Sequence, residues 1–315
     1  RQVCLEDRDA ASSSDSVSDV HASDMASAVR YPMKRCDRSP MELLESRARG
    51  PGRPQRPGAP GRHHWRAGPS DESGLCSVAM REERFAGVTV RLTGGDDREG
   101  GGDGPLVVFM HGFGASGTDL VPLWQVLDVP GTTRFAFPEA PHEVPGLFGA
   151  RAWWMIDFER AERAMAEGPK SYADEIPPGM EEATDQVVEM LAAMQEALHV
   201  PSERLVVGGF SQGSMAACNA VFTRGVAAAA LVVLSGTPVN LRAWREGMAQ
   251  RQGLPVFQSH GTHDALLSFQ AAEQLRDTMR DAGLAAEWVP FRGGHELPVP
   301  VLTGLGQFLS TQVNE

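Results

Sequence analysis

The passage through Gly209-Phe210-Ser211-Gln212-Gly213 constrains the fold more than any other feature of the chain. An apolar, β-prone run, 204–208, leads into it, and a run of small residues with helical character, 214–222, follows at once. The chain therefore has to pass from strand to helix at Ser211. Such a turn strains the backbone at the serine, and glycines two before and two after leave room for the crowded chain. It also lifts the serine hydroxyl to a helix N-terminus, where the dipole and unpaired N–H groups favour a developing anion. The pattern G-x-S-x-G alone is common, but between a strand and a helix it has the context of a nucleophile elbow.

Around this turn, strands and helices alternate from Arg81 onward. Apolar patterning predicts strands at 87–92, 105–110, 134–137, 228–234, 255–259 and 286–291, and helices at 119–127, 181–199, 269–282 and 301–311. The 181–199 helix is the clearest, with Val187, Val188, Leu191, Met194 and Leu198 at helical spacing. This rhythm implies a mostly parallel central sheet with helices on both faces. Residues 138–179 fit neither period and are expected to form an insertion, a lid or a substrate wall.

Residues 1–80 lack that rhythm. Arginines and prolines alternate through 47–66 without an acid, and 11–27 are rich in Ser, Ala and Asp. The expected organisation is a disordered Pro/Gly/Arg/Ser-rich extension at 1–80 and a catalytic domain at 81–315. A methionine, Met80, stands where ordered-looking sequence begins, so residues 1–79 are expected to lie outside the working enzyme. A PxxP pattern, Arg53-Pro54-Gln55-Arg56-Pro57, reads more economically as part of this extension than as a docking motif.

The formal net charge is −12, with the acidic excess in 81–315, so nucleic acid is not expected as a partner. The longest apolar run, Val226 to Leu234, is nine residues, too short to span a bilayer, and no stable membrane insertion is expected. The four cysteines, Cys4, Cys36, Cys76 and Cys218, form no C-x-x-C pair, and His63-His64 has no third ligand at fitting spacing. No disulfide framework or metal site is expected, which fits a reducing, cytoplasmic setting.

A serine needs a base to take its proton and an acid to orient that base. His295 follows the strand at 286–291, and Asp264 follows the strand at 255–259. With Ser211, all three lie at carboxyl ends of parallel strands, where sites of open α/β sheets form. The chain order Ser211, Asp264, His295 is that of an α/β-hydrolase fold. His260 and His263 precede Asp264, the wrong order for the base, so His260 is expected to pack or hydrogen-bond locally. Asp281 and Glu296 are the alternative acids. His111-Gly112-Phe113-Gly114 follows the strand at 105–110 and is expected to supply one oxyanion-hole N–H from Phe113, with the second from Gln212. Those donors are backbone groups, so replacing Gln212 by Ala is expected to change little. His111 and Gly112 are assigned to substrate binding, with His111 holding the turn. Trp153 and Trp154 are candidates for substrate contact or for packing.

Leu106 to Gly114, Trp154 with Asp157, Gly208 to Gly213, Gly261 with Asp264, and Gly294-His295 together resemble the phospholipase/carboxylesterase family, over about 88–308. The resemblance implies a serine hydrolase of short- or medium-chain carboxylic esters, extending to lysophospholipids or thioesters, with a small-molecule ester substrate and no cofactor. It is compatible with a homodimer. Three departures touch pocket shape: Ser214 where the family often has a third glycine, Leu267-Ser268 in place of valine-proline, and Glu296-Leu297-Pro298 after the histidine. The insertion resembles a bacterial carboxylesterase branch, which points away from protein depalmitoylation. The rival readings are a peptidase or lipase on the same fold and a non-catalytic binding protein.

Overall fold

The computed structural model describes residues 80–156 and 172–313. The expected 1–79 extension, Asp157, and the centre of the 138–179 segment lie outside the described residues. The strands are β1 (Arg81–Phe85), β2 (Val88–Gly95), β3 (Glu99–Gly101), β4 (Leu106–Met110), β5 (Arg134–Pro138), β6 (His142–Glu143), β7 (Arg151–Ala152), β8 (Leu205–Phe210), β9 (Ala230–Leu234), β10 (Pro255–Gly261) and β11 (Ala285–Phe291). The helices are α1 (Leu123–Val126), α2 (Met180–Ala197), α3 (Gln212–Thr223), α4 (Leu241–Met248), α5 (Phe269–Asp281) and α6 (Val299–Val313).

The main sheet has the order β1-β2-β5-β4-β8-β9-β10-β11, with β3 beside β2. From β5 to β11 every pairing is parallel, and the antiparallel pairs β1·β2 and β2·β5 occupy one side. Alternation along the strands splits the core in two. On β4, Leu106, Val108 and Met110 join the cluster that also contains α2, α3, α4 and α5 side chains. Val107 and Phe109 join the opposite cluster, with Leu120, Leu123 and Leu127 and the α6 face of Val301, Leu305 and Leu309. Helices thus cover both faces, and the chain has the α/β-hydrolase fold.

After β4 the chain goes to β5 on one side and, after the intervening segment, to β8 on the other. That reversal makes β4 and β8 the flanks of the crevice where open sheets hold ligands. Met110 pairs with Gly209 and Gly261 with Phe291, so the loops leaving β4 and β8 start side by side, as do those leaving β10 and β11.

Strands β1, β3, β6 and β7 were not anticipated, and two helices depart from the sequence reading. The helix expected at 119–127 shrinks to the single turn of α1. Pro122 has no N–H, and the bonds around it step three residues back, Asp119 to Ser116, Val121 to Thr118 and Leu123 to Leu120. Helix α4 was not anticipated; Leu241, Trp244 and Met248 anchor its buried face, and the Trp244 indole donates to Asn219 Oδ1 at 2.7 Å.

Candidate active site

The turn at Ser211 is strained. Its φ of 53° and ψ of −122° lie outside the regions that L-residues ordinarily occupy. A Cβ at Gly209 would collide with the Met110 carbonyl and the Gly213 backbone, and one at Gly213 with the Met110 and His111 carbonyls. Glycine at these two positions lets α3 start hard against β4. Ser214, the residue noted above as a departure from a third glycine, donates from its hydroxyl to the Ser211 carbonyl at 2.7 Å, which caps the turn.

The β10 and β11 loops are stitched by their backbones: Thr262 N donates to Phe291 O, and His263 N to Gly293 O. This brings Asp264 to His295, with Nδ1 of the imidazole donating to Asp264 Oδ2 at 2.6 Å. The other carboxylate oxygen accepts the amides of Leu266 and Leu267, each at 2.9 Å. The Asp264 side chain is fully enclosed. Burial alone would raise its carboxyl, but the His295 bond and charge and the Leu267 and Leu266 amides outweigh it and hold the group below the ordinary carboxylate range. The His295 ring lies 4.7 Å from the ring of Phe210, the residue before Ser211. Gly112 sits against both Phe210 and Ser211, its bare α-carbon leaving room for them. The elbow, the His295 loop and the β4 loop therefore form one continuous rim.

The alternative acids are elsewhere. Asp281 ends α5, and Glu296 accepts from the Gly294 amide at 3.4 Å. His263 is exposed and touches Thr262 Oγ1 at 3.2 Å. Leu267-Ser268 serves two neighbours at once: Leu267 N bonds the acid, and the Ser268 hydroxyl caps α5 by accepting from Ala271 N.

His111 is buried, and burial pushes its pKa down to about 4, so the ring is neutral near pH 7. Its Nε2 accepts the Ala140 amide at 3.0 Å, which puts the proton on Nδ1 to donate to Gly112 O at 2.8 Å. Trp153 and Trp154, candidates for substrate contact or for packing, are both buried. Trp153 is fully buried and donates from its indole to the His111 carbonyl at 3.0 Å, and Trp154 is nearly as enclosed.

The Gln212 side chain makes two bonds that the sequence reading did not anticipate. The Gln212 carboxamide accepts the Trp153 amide at 3.0 Å and donates to the Trp154 carbonyl at 2.8 Å. Arg151 in turn exchanges backbone bonds with Gly114 and Ala115, and its guanidinium pairs with Glu139 at 3.0 Å. Residues 151–154 are therefore a strap joining the turn after β4 to the start of α3. Its sequence trace is faint: Gln212 reads only as the residue after the serine. Among the described residues no three His, Cys, Asp or Glu side chains are grouped to hold a metal ion.

Fold and rim together define an α/β-hydrolase. The profile of the phospholipase/carboxylesterase family matches residues 101–313, and the chain belongs to that family. It is 24% identical over 212 residues to acyl-protein thioesterase 1 homolog 1 of Dictyostelium discoideum, covering 65% of this chain and 88% of that protein. It is 27% identical over 180 residues to acyl-protein thioesterase 1 of Yarrowia lipolytica, covering 54% and 74%. Among solved structures it resembles esterase PE8 with a TM-score of 0.59 and 26% identity, over 70% of this chain and 96% of that one. Both of these curated relatives are eukaryotic, unlike the bacterial branch that the insertion suggested. The chain is a carboxylic ester hydrolase.

Proposed function

We propose that Ser211, His295 and Asp264 form the catalytic triad of an acyl-transfer hydrolase acting on small carboxylic esters or thioesters. The observation that carries this reading is the 2.6 Å bond from His295 to an enclosed, anionic Asp264, on the same rim as a serine in a strained elbow. In the first half-reaction His295 takes the Ser211 proton as Oγ attacks the acyl carbonyl. The backbone N–H groups of Phe113 and Gln212 stabilise the tetrahedral oxyanion. Collapse breaks the bond to the alcohol or thiol, which leaves with the proton from His295. Water then repeats the sequence on the acyl-enzyme and releases the acid. Asp264 keeps the imidazole in the Nδ1–H tautomer and stabilises its charged form.

Thioesters belong in the substrate class because the curated relatives above are named acyl-protein thioesterases. Family membership weighs against the peptidase and non-catalytic readings. No helix among the described residues is long and apolar enough to cross a membrane. A reducing cytoplasmic setting is the reading that goes with Cys218, buried and unpaired in α3. The test is Ser211→Ala. It should abolish p-nitrophenyl ester hydrolysis and fluorophosphonate labelling while the circular dichroism spectrum stays unchanged; an active, labelled variant refutes the assignment.

A further inference from the structure

We propose that His260 is a positioning residue for the Asp264–His295 pair, its Nε2–H holding both the 264–267 turn and the carboxylate oxygen to which His295 donates. This rests on the triad reading above. His260 sits on β10 with its side chain fully buried. Its Nε2 lies 3.0 Å from the Leu267 carbonyl oxygen and 3.4 Å from Asp264 Oδ2. Both neighbours are acceptors only, so the proton has to sit on Nε2; the opposite tautomer would aim a lone pair at two oxygens. Nδ1 is then a bare acceptor, and it has no partner among the described residues. The Phe269 ring centroid stands 6.2 Å from that of His260.

The arrangement divides the work around Asp264. One oxygen is fixed by the Leu266 and Leu267 amides. The other faces two imidazoles, His295 at 2.6 Å and His260 at 3.4 Å. A neutral His260 supplies an N–H dipole without a competing charge. Its neutrality is supported by burial, which lowers its pKa against the opposing pull of the Leu267 bond and the Asp264 charge. The ionisable groups acting on it are Asp264 and His295. Because the dipole offsets part of the carboxylate's field, its loss strengthens the field that His295 feels. The acid limb of the kcat/KM profile, which reports the coupled pair, then moves to higher pH.

The experiment compares His260→Phe, His260→Gln and His260→Asn in the full chain, reading kcat/KM for a p-nitrophenyl ester against pH alongside thermal melting. Phe fills the site without a donor and should lower kcat/KM about tenfold, moving the acid limb up by roughly half a unit. Gln carries an amide at the reach of Nε2 and should restore most of both; Asn, one bond shorter, should not. The proposal is overturned if the Phe variant matches wild type, or if all variants lose activity and melting temperature together with the limb unmoved. Should the Phe variant fail to fold, equal activity of the Gln and Asn variants overturns it. Fluorophosphonate labelling of wild type separates the two levels. Failure to label sinks the triad reading, whereas a labelled wild type with His260 variants that show none of these changes sinks only the role of His260.

Discussion

Asp119 shows how a single residue beside the site can set the pH dependence of the fold. It lies on the turn that follows the His111 loop, half-buried, with Oδ2 enclosed and unpartnered among the described residues. Desolvation pushes its pKa up to about 6. The folded state therefore holds the proton more tightly than the unfolded chain. The stability this confers is fully present below the ordinary carboxylate value of 3.8 and is lost as pH rises through about 6. Asp119→Asn removes the charge at nearly constant volume. At pH 7.5 it should stabilise the protein by about 1–2 kcal/mol after allowance for solvent screening, or roughly 2–4 °C in melting temperature per kcal/mol. Melting curves should show the gain shrinking toward zero near pH 4; a constant gain across pH would mean the charge is not its source. Asp264 acts in the opposite sense, contributing stability that fades as pH falls, because its pKa is lowered. At this scale the placing of Ser211, Asp264 and His295 in the turns after strands was legible, because the apolar pattern marks the strands they follow. The enclosed Oδ2 of Asp119 was not, since nothing in the residues around it says which acid will be half-buried.

At the scale of elements, local pattern carried far but stopped where bonds cross the chain. Helix α2 was legible from its own period, and β4, β5 and β10 from theirs, because each pattern is complete within the element. For α1 the leucine spacing correctly marked one buried face, yet Pro122 replaced a helix by successive turns. The edge strand β1, with charged residues at four of its five positions, has no apolar period to reveal it. The 151–154 strap was hidden for a different reason. Its bonds to Gln212 span 59 and 58 residues and involve main-chain groups, which no side-chain pattern encodes. The strap changes the forecast for Gln212. Gln212→Ala keeps the backbone N–H proposed for the oxyanion hole but frees Trp153 and Trp154 from the start of α3. It should therefore lower kcat by between about 10- and 100-fold with KM nearly unchanged, through misplacement of the two donors. Steady-state kinetics on a p-nitrophenyl ester decides this, and a wild-type kcat would show that the strap is held well enough by Arg151 and the Trp153 indole.

For the whole molecule, the question is how much chain the site needs. Among the described residues, the clusters on the two faces of the sheet draw their buried members from between Phe85 and Leu309. The sheet begins, among the described residues, at Arg81, and its antiparallel β1·β2 pair lies at the opposite edge from β10 and β11. Every strand that feeds the rim, β4, β8, β10 and β11, lies between other strands or is covered by α5 and α6. We propose on this ground that 81–315 is the catalytic domain. A chain of residues 80–315 should keep the kcat/KM of the full chain and melt within about 2 °C of it. The comparison has to be made at equal ionic strength, because removing 1–79 leaves the acidic part of the chain without its arginine-rich neighbour. A large fall in kcat with unchanged melting would instead give the first 79 residues a part in catalysis, and a fall in both would mean that they pack on the sheet.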